Sequence, residues 1–492
     1  MPFKSIIVQY LRGGKFNTPL IFIILWVLLV LLLPVGSLQA GEKEISLKNR
    51  EAPKSTPTTL TLEQSVDLAL LNNRNITGSK FRAESQQYSV TAAKSDFDVK
   101  IVPGVNTNFS DGNFMGSKNI GAGFAIKKKL ETGATVSLNP TVNVTDQQYW
   151  NEVSLTIEQP LFKGFGQDVN LDNVRSAEFS KETAFRNIYQ TKVNISLEMI
   201  TTFYNVVKQI EINNLYDIMA TRLKGHAAVA MAKGKVGLAT PMETYRAEIQ
   251  LKEAEDSATQ ASEAHLDALD RIKVILSLPL KTEISLVTPA PPDYMPMELS
   301  TAIDTALKNR IEIEQARAEI QEAERKSLVM KQNTLPGVNL VMGFGQFALA
   351  DTFGQASTLS QNRWNVALQG STDLQRTAEK AAYQQSLLNV KMLRLDLENR
   401  MEEIDKQVRK QWNAFKEDEK RIRIRKEQMQ QAKEKLALAE VKYAHGMADN
   451  FDVIEAETEL QRAKVMLLTA EMDYAVGTYN MKAILGTLIP KN

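Results

Sequence analysis

The same unit occurs twice in this chain, and this repeat constrains the fold more than any other feature. The segments Leu62–Ile76 and Leu299–Ile313 carry leucine, aspartate, Ala-Leu, asparagine and isoleucine at matching offsets. Farther on, Pro-Gly-Val-Asn occurs at 103–106 and again at 336–339. Each copy therefore predicts one order of elements: a helix, a β segment, a long helix, a turn and a return helix.

The repeat also sets the predicted segment boundaries. The first copy is expected at 59–276, with its β segment at about 101–160. The second copy is expected at 298–488, with its β segment at about 336–372. The linker at 277–297 contains five prolines, a composition typical of extended chain, and includes a predicted short strand at Ile284–Val287.

The N-terminus has the pattern of a secretory signal peptide, predicted at 1–40. Three basic residues precede an unbroken apolar run at Leu20–Leu33, and a proline and small residues follow as far as Ala40. A flexible leader is expected at 41–58, where Lys, Glu, Pro, Ser and Thr dominate. The alternative is an uncleaved membrane anchor, but the run is short for a span of about 20 residues.

Long heptad helices dominate both copies. The stretch Thr377–Ala444 contains neither proline nor glycine, and its counterpart is Asp172–Lys233. At 1.5 Å per residue, such helices extend for about 100 Å. The last return helix carries two seven-residue rows, one larger and one small: Val453, Leu460, Leu467, Tyr474 and Met481, and Ala456, Ala463, Ala470, Gly477 and Ile484. The small row favours close contact with a neighbouring helix.

These helices alone would also fit a coiled-coil rod, and the β segments distinguish the two interpretations. Between the helices the hydrophobic period changes to two, at Val136–Val144, Val153–Ile157, Val338–Phe344 and Trp364–Leu368. Soluble sandwiches show the same alternation, but here long helices leave few elements to cover a sheet. Segments of about ten residues with one apolar face therefore predict a membrane barrel with a wet interior.

Strand counting then predicts an oligomer. Two strands per copy make four, and the hairpin at Phe124–Val144 is left unassigned between barrel and loop. Because small barrels need about eight strands, closure must involve several chains.

Composition excludes several classes of function. The net charge is +1, so the chain lacks the basic surface of a nucleic-acid-binding protein. It contains no cysteine, which excludes disulfides, thiol nucleophiles and a lipid-modified cysteine. His226, His265 and His445 lie far apart without metal-ligand spacing, so we expect no metal, no cofactor and no enzyme activity.

A family resemblance follows from motifs at fixed positions. They are Leu62–Leu70 and its second copy, Gln159–Gly166, Val236–Leu238 with Glu243, and the spaced set Tyr443, Gly446, Asp452, Ala456, Leu460, Ala463, Ala470, Asp473, Tyr474 and Gly486–Leu488. With these motifs the chain resembles the TolC-like outer-membrane efflux protein family over residues 59–488.

The resemblance implies a mainly α fold with a β-barrel part. A trimeric outer-membrane β-barrel of twelve strands would continue into a long α-helical coiled-coil barrel in the periplasm, with two structural repeats per chain. It implies a homotrimer in outer-membrane lipid that exports small molecules passively. An inner-membrane pump and a periplasmic adaptor would supply energy and cargo. The alternatives are a type I protein-secretion duct and a non-conducting periplasmic scaffold.

The resemblance also implies the site residues. Asp452 and Glu455 match the acids of the periplasmic aperture, and Glu243 matches the first-copy acid. Gly237 and Gly446 mark the hairpin tips, where the adaptor would dock.

Two local features qualify these site assignments. Tyr443 matches a tip-lock residue, whereas Ala448 stands where family members often have the arginine of the lock. Each acid also lies near a helix N-terminus, where the dipole favours negative charge, so a local structural role is the alternative for all three.

Overall fold

The computed structural model describes residues 58–110, 117–145, 148–290 and 298–491. The predicted signal peptide at 1–40, the predicted leader apart from Thr58, and linker residues 291–297 lie outside the described residues. Two units are present, a β unit made of 97–166 and 336–371 and a helical unit made of the remaining described residues. Within these ranges, no helix combines the length and the apolar character needed to cross a membrane.

Both halves run from a short strand through two helices and sheet strands to two long helices, but the first half has four sheet strands and the second has two. Those of the first half are β1 Thr58–Leu60, α1 Leu62–Asn72, α2 Arg74–Lys94, β2 Lys100–Ser110, β3 Ser117–Lys129, β4 Thr135–Thr145, β5 Tyr149–Pro160, α3 Gln167–Asn170, α4 Asp172–Lys235 and α5 Pro241–Ile275. Those of the second half are β6 Ile284–Leu286, α6 Leu299–Asn309, α7 Ile311–Asn333, β7 Gly337–Ala350, α8 Phe353–Ala356, β8 Gln361–Ser371, α9 Thr377–Ala444 and α10 Asn450–Ile484.

The long helices pair through small side chains, as the heptad rows predict. In each half the long helix packs against its return helix, α4 with α5 and α9 with α10. Alanine lets the two backbones approach closely. Both return helices carry buried alanines at seven-residue spacing, namely Ala247, Ala254, Ala261 and Ala268 on α5 and Ala456, Ala463 and Ala470 on α10. The two hairpins meet where α10 packs against α4.

Each return helix ends against the helices that open its own half. At the end of α5, the backbone carbonyl of Ile275 accepts a hydrogen bond from Asn73 Nδ2 at 2.9 Å, and Asn73 is also the N-cap of α2. At the end of α10, Gly486 lies so close to Asn309 that a Cβ there would be 2.9 Å from the Asn309 carbonyl. The residues after both helices take positive φ, Ser277 at 55° and Gly486 at 69°.

The main core of the helical unit lies where β1 and β6 join the helices. These two strands pair in parallel, Thr58 with Ile284 and Leu60 with Leu286, so the short strand predicted in the linker is present. Their apolar residues pack with fully buried Phe203, Met199 and Ile272. The pairing ties the N-terminal strand to the segment that links the two halves.

The β unit holds more strands than the sequence predicts. Its sheet is antiparallel throughout, with the order β2-β3-β4-β5-β7-β8. The unassigned hairpin at Phe124–Val144 belongs to β3 and β4 and lies inside this sheet. The expected four strands per chain are therefore wrong, because glycines at Gly104, Gly121 and Gly123 interrupt the hydrophobic alternation of β2 and β3.

The sheet has one apolar face and one small or polar face. The strand register aligns one apolar residue from each strand in a single row: Ile101, Ile126, Leu138, Leu155, Phe344 and Trp364. One position along, on the other face, the row is Lys100, Lys127, Ser137, Thr156, Gly343 and Asn365. Because side chains alternate along a strand, the two rows face opposite sides of the sheet.

We predict that Gly486→Ala lowers the free energy of unfolding by about 2 kcal/mol, because a side chain at positive φ is strained and the new methyl meets the Asn309 backbone. Gly225→Ala is the control. A Cβ at Gly225, inside α4, has nothing within 4 Å, so this change should stabilise by about 0.5–1 kcal/mol. Denaturant titration of both variants measures these changes in stability. Equal unfolding midpoints for the two variants would contradict the structural role assigned to Gly486.

Candidate functional site at the hairpin tips

The two hairpin tips share one turn geometry, built from local hydrogen bonds. In the first tip, Leu238 N donates to Lys233 O at 2.8 Å and Gly237 N donates to Gly234 O at 3.1 Å. In the second, Met447 N and Gly446 N make the equivalent bonds to Lys442 O and Tyr443 O. This is the Schellman motif, in which the residue after the helix takes positive φ. Gly237 at 74° and Gly446 at 71° supply that conformation.

Both return helices then start with a capping box. Thr240 Oγ1 accepts from Glu243 N at 3.3 Å, and Glu243 Oε2 accepts from Thr240 N at 3.0 Å. In the second tip, Asp449 and Asp452 exchange the same two bonds at 2.9 and 3.1 Å. Two of the three predicted aperture acids, Glu243 and Asp452, therefore satisfy backbone N–H groups at helix starts, which supports the local role considered from the sequence.

Glu455 takes no part in the capping box. It lies one turn beyond Asp452 on α10, and both side chains are exposed. Glu459 continues the same exposed face but is neutralised, since Lys435 Nζ of α9 lies 2.6 Å from its carboxylate. The described contacts do not join Glu243 to Asp452 or Glu455, so within one chain the two tips hold their acids separately.

Tyr443 does reach the other hairpin. Lys233 Nζ, near the end of α4, donates to the Tyr443 hydroxyl at 2.8 Å and lies 4.4 Å from the centre of its ring. A hydrogen bond and a cation–π contact therefore act on the same pair. The lysine comes from the first hairpin, so it joins the two hairpins although Ala448 replaces the arginine expected from the resemblance.

A second polar contact joins the hairpins farther from the tips. Glu457 of α10 has a side chain only 8% exposed, and Arg222 Nη1 of α4 lies 2.8 Å from its Oε1. His226 Nε2 lies 3.4 Å from Glu457 Oε2, and His226 Nδ1 lies 3.1 Å from Asn450 Oδ1. Asn450 Nδ2 also donates to the His226 carbonyl at 3.2 Å. Both imidazole nitrogens thus face oxygen atoms, which favours the doubly protonated ring.

These contacts shift the protonation equilibria of both partners. The hydrogen bond to Glu457 is the largest effect on His226 and raises its pKa above the ordinary 6.5, although burial opposes it. For Glu457, burial alone would raise the pKa, but hydrogen bonds from His226 and Arg222 outweigh it and lower the pKa below 4.5. The folded state therefore favours the charged form of both side chains.

Sequence reasoning missed Lys233, Arg222, His226 and Glu457 as tip residues. Ile454, Glu457 and Gln461 are spaced three and four apart along α10 and are all buried, but two of them are polar, so the sequence does not show that this face is buried. That spacing marks a third face of the helix, turned towards α4. An acid on such a face needs a cationic partner from the facing helix, but the sequence does not say which one.

The loops at both tips expose apolar side chains. They are Val236, Leu238 and Met242 in the first tip and Met447 in the second, each more than half exposed. Side chains of this kind at the end of a long hairpin are available for contact with another protein.

Comparison with known proteins gives the class of this fold. Residues 302–487 match the family model described as Outer membrane efflux protein. Among curated proteins, no match to this chain is found. The solved structures that match include the outer-membrane channel OprN, at 15% identity and a TM-score of 0.69, covering 87% of this chain and 90% of that one.

Two further channel structures agree with this result. The Campylobacter jejuni CmeC outer membrane channel matches at 15% identity and a TM-score of 0.69, covering 87% of this chain and 86% of that one. The open state of the Neisseria gonorrhoeae MtrE outer membrane channel matches at 14% identity and a TM-score of 0.63, covering 87% and 89%. The fold is therefore that of the outer-membrane channels, and the resemblance to the TolC-like efflux proteins is confirmed.

We predict that the stability of the paired hairpins depends on pH through His226 and Glu457. Because the folded-state pKa of His226 is raised, its contribution is complete below 6.5 and is lost as pH rises through the raised value. Because the pKa of Glu457 is lowered, its contribution is present above 4.5 and is lost as pH falls through the lowered value. Stability from this pair should therefore be greatest between these limits.

His226→Gln tests this dependence, because glutamine keeps a polar side chain but cannot take up the proton. The substitution should lower the free energy of unfolding by about 1.5 kcal/mol near pH 6 and by much less near pH 8. Thermal unfolding at the two pH values measures this difference. His445→Gln is the control, since His445 lies at an exposed tip and bonds only within its own turn. A loss for His226→Gln that is the same at both pH values would contradict the prediction.

Proposed function

We propose that this chain forms the outer-membrane duct of a tripartite efflux system and exports small molecules passively. The observation that carries the proposal is the two-faced sheet, in which one unbroken apolar row crosses all six strands and the row on the opposite face is small or polar. In water such a face would need a covering layer, whereas in a bilayer the lipid covers it. The polar face then lines a wet lumen.

Closure of that sheet requires more than one chain. An open sheet in lipid leaves backbone groups without partners at its edges, and only a closed barrel avoids this. We propose a homotrimer, as the family resemblance implies, placed in the outer membrane with its helical part in the periplasm. The matched channel structures support this placement through their common fold.

At the tips, we propose that the three chains bring their acids together as an aperture. Asp452 and Glu455 are exposed near the start of α10, and Glu243 has the equivalent position on α5. Three copies of each carboxylate around one axis would favour cations over anions. The capping role of Glu243 and Asp452 is compatible with this, because each capping bond uses only one oxygen of the carboxylate.

We propose that the tips are also where a periplasmic adaptor docks and an inner-membrane pump delivers cargo. The Schellman turns at Gly237 and Gly446 present exposed apolar side chains at a fixed geometry. An adaptor that covers these side chains would remove apolar surface from water, which favours association. The contact between Lys233 and Tyr443 would hold the hairpins together until the adaptor engages.

Reconstitution of the purified protein into planar bilayers tests the duct itself. A conducting pore is expected. The absence of ion conductance at every voltage would contradict the proposal and favour a non-conducting scaffold.

We predict that Asp452→Asn combined with Glu455→Gln reduces the cation preference of the pore. These changes remove charge but keep the hydrogen-bond acceptor that caps α10. Reversal potentials in a salt gradient measure the preference. Asp67→Asn combined with Asp304→Asn is the matched control, because these exposed acids have equivalent positions on α1 and α6, away from the tips. An equal change in both pairs of variants would mean that overall charge sets selectivity, not the tip.

We predict that Tyr443→Phe and Lys233→Met each raise the single-channel conductance, because each removes the hydrogen bond between the hairpins. The conductance of the double variant should be close to that of each single variant, since both changes break the same contact. Tyr245→Phe is the control, as this tyrosine is exposed on the first tip. Conductance unchanged in all four variants would remove Tyr443 from the lock.

A further inference from the structure

The β unit has two free edges. Within the described residues, β2 pairs only with β3 and β8 pairs only with β7, so each has one side without a partner strand. The apolar face is most exposed there: Trp364 on β8 is 77% exposed and Ile101 on β2 is 66% exposed, against 38% for Leu155 in the middle of the sheet. Open apolar edges of this kind pair readily with further strands.

The directions of the strands decide which edges pair. Because six strands alternate in direction, β2 and β8 run opposite ways, and β8 of one copy laid beside β2 of the next is antiparallel. The apolar faces then stay on one side, and the residues that lead to the helices, Lys100, Pro160, Gly337 and Ser371, stay at one end of the shared sheet. Pairing β2 with a second β2 would reverse one copy and put these connections at opposite ends.

The two edges are also matched in length and composition. Both strands have 11 residues, Lys100–Ser110 and Gln361–Ser371. Pro103 on β2 lacks an N–H. In β4, the pairing with β3 is interrupted at Pro140 and resumes on either side of it, so a proline does not end a strand pair in this sheet. Repetition of one pairing between unlike edges closes into a ring when the rotation per copy allows it.

We propose that β8 of each copy pairs antiparallel with β2 of the next, so that all six strands of every copy enter the barrel wall. Resting on the trimer under the proposed function, the barrel then has eighteen strands, not the twelve that the family resemblance implies. Since barrel diameter grows roughly in proportion to strand number, this barrel is about half as wide again as one of twelve strands.

Cysteine cross-linking tests the edge pairing, and the chain suits it because it has no cysteine. Val105→Cys on β2 is combined in turn with Trp364→Cys, Val366→Cys or Leu368→Cys on β8, which samples the register along one face. A bifunctional maleimide is then added to the assembled protein in membranes. At least one pair should give a ladder on denaturing gels that ends at three chains.

Two control pairs separate the alternatives. Leu155→Cys with Val366→Cys should give no link between chains, because β5 is interior. Leu138→Cys with Val366→Cys would link chains only if β4 formed the edge, which leaves four strands per copy. Three outcomes would each overturn the eighteen-stranded barrel. They are a link between chains through Leu138→Cys, a ladder that ends at two chains, and no link at any register.

Single-particle imaging of the cysteine-free protein counts the strands of the barrel without any substitution. We expect eighteen strands, and a count of twelve would contradict the proposal. Conductance of the same sample separates this inference from the proposed function. A conducting trimer with twelve strands overturns only the strand count, whereas a non-conducting assembly overturns the duct.

Discussion

A backbone hydrogen bond needs a partner wherever water is absent, and the β unit of this chain leaves two rows of such groups open. The sheet cannot place its apolar face in lipid as a single copy, because the N–H and C=O groups at the edges of β2 and β8 would be desolvated without partners, each at a cost of several kcal/mol. In lipid, this sheet would therefore need partner strands at both edges. The alternating strand directions would allow the unlike edges of two copies to pair antiparallel.

The helical unit meets a related constraint in a different way. Helices of 64 and 68 residues gain little from propensity and depend on tertiary packing along their length. Alanine rows supply that packing within each hairpin. The ends of the return helices are fixed separately, at Asn73 in the first half and at Asn309 in the second. Equivalent positions use Ser277 and Gly486 to turn the chain, so the same geometry arises from different residues.

Periodicity predicts most of this fold because it reports directly on which face is buried. The seven-residue rows locate α4, α5, α9 and α10, and the two-residue rows locate β4, β5, β7 and β8. Strands β2 and β3 escape recognition where glycine occupies the polar face, since a residue without a side chain marks neither face. The tip turns are predictable, because glycine followed three residues later by Thr240 or Asp449 is a helix stop and a helix start.

The contacts of the candidate site could not be predicted in the same way. Lys233 lies 210 positions from Tyr443, and Arg222 lies 235 positions from Glu457. Nothing local fixes which residue of α4 faces which residue of α10, because that depends on the rotation and stagger of two long helices. Only the packing shows that Glu457 of α10 is buried and which cations pair with it.

The two kinds of helix contact differ in chemistry. Within each hairpin the buried interface is mainly apolar and includes the row of alanines. Between the hairpins near the tips, Ile454 is buried beside two polar contacts, one from Lys233 to Tyr443 and one from Arg222 and His226 to Glu457. A buried ion pair adds little net stability over an apolar contact, yet breaking it carries a large local penalty. Such an interface favours one alignment of the two hairpins through specific polar contacts.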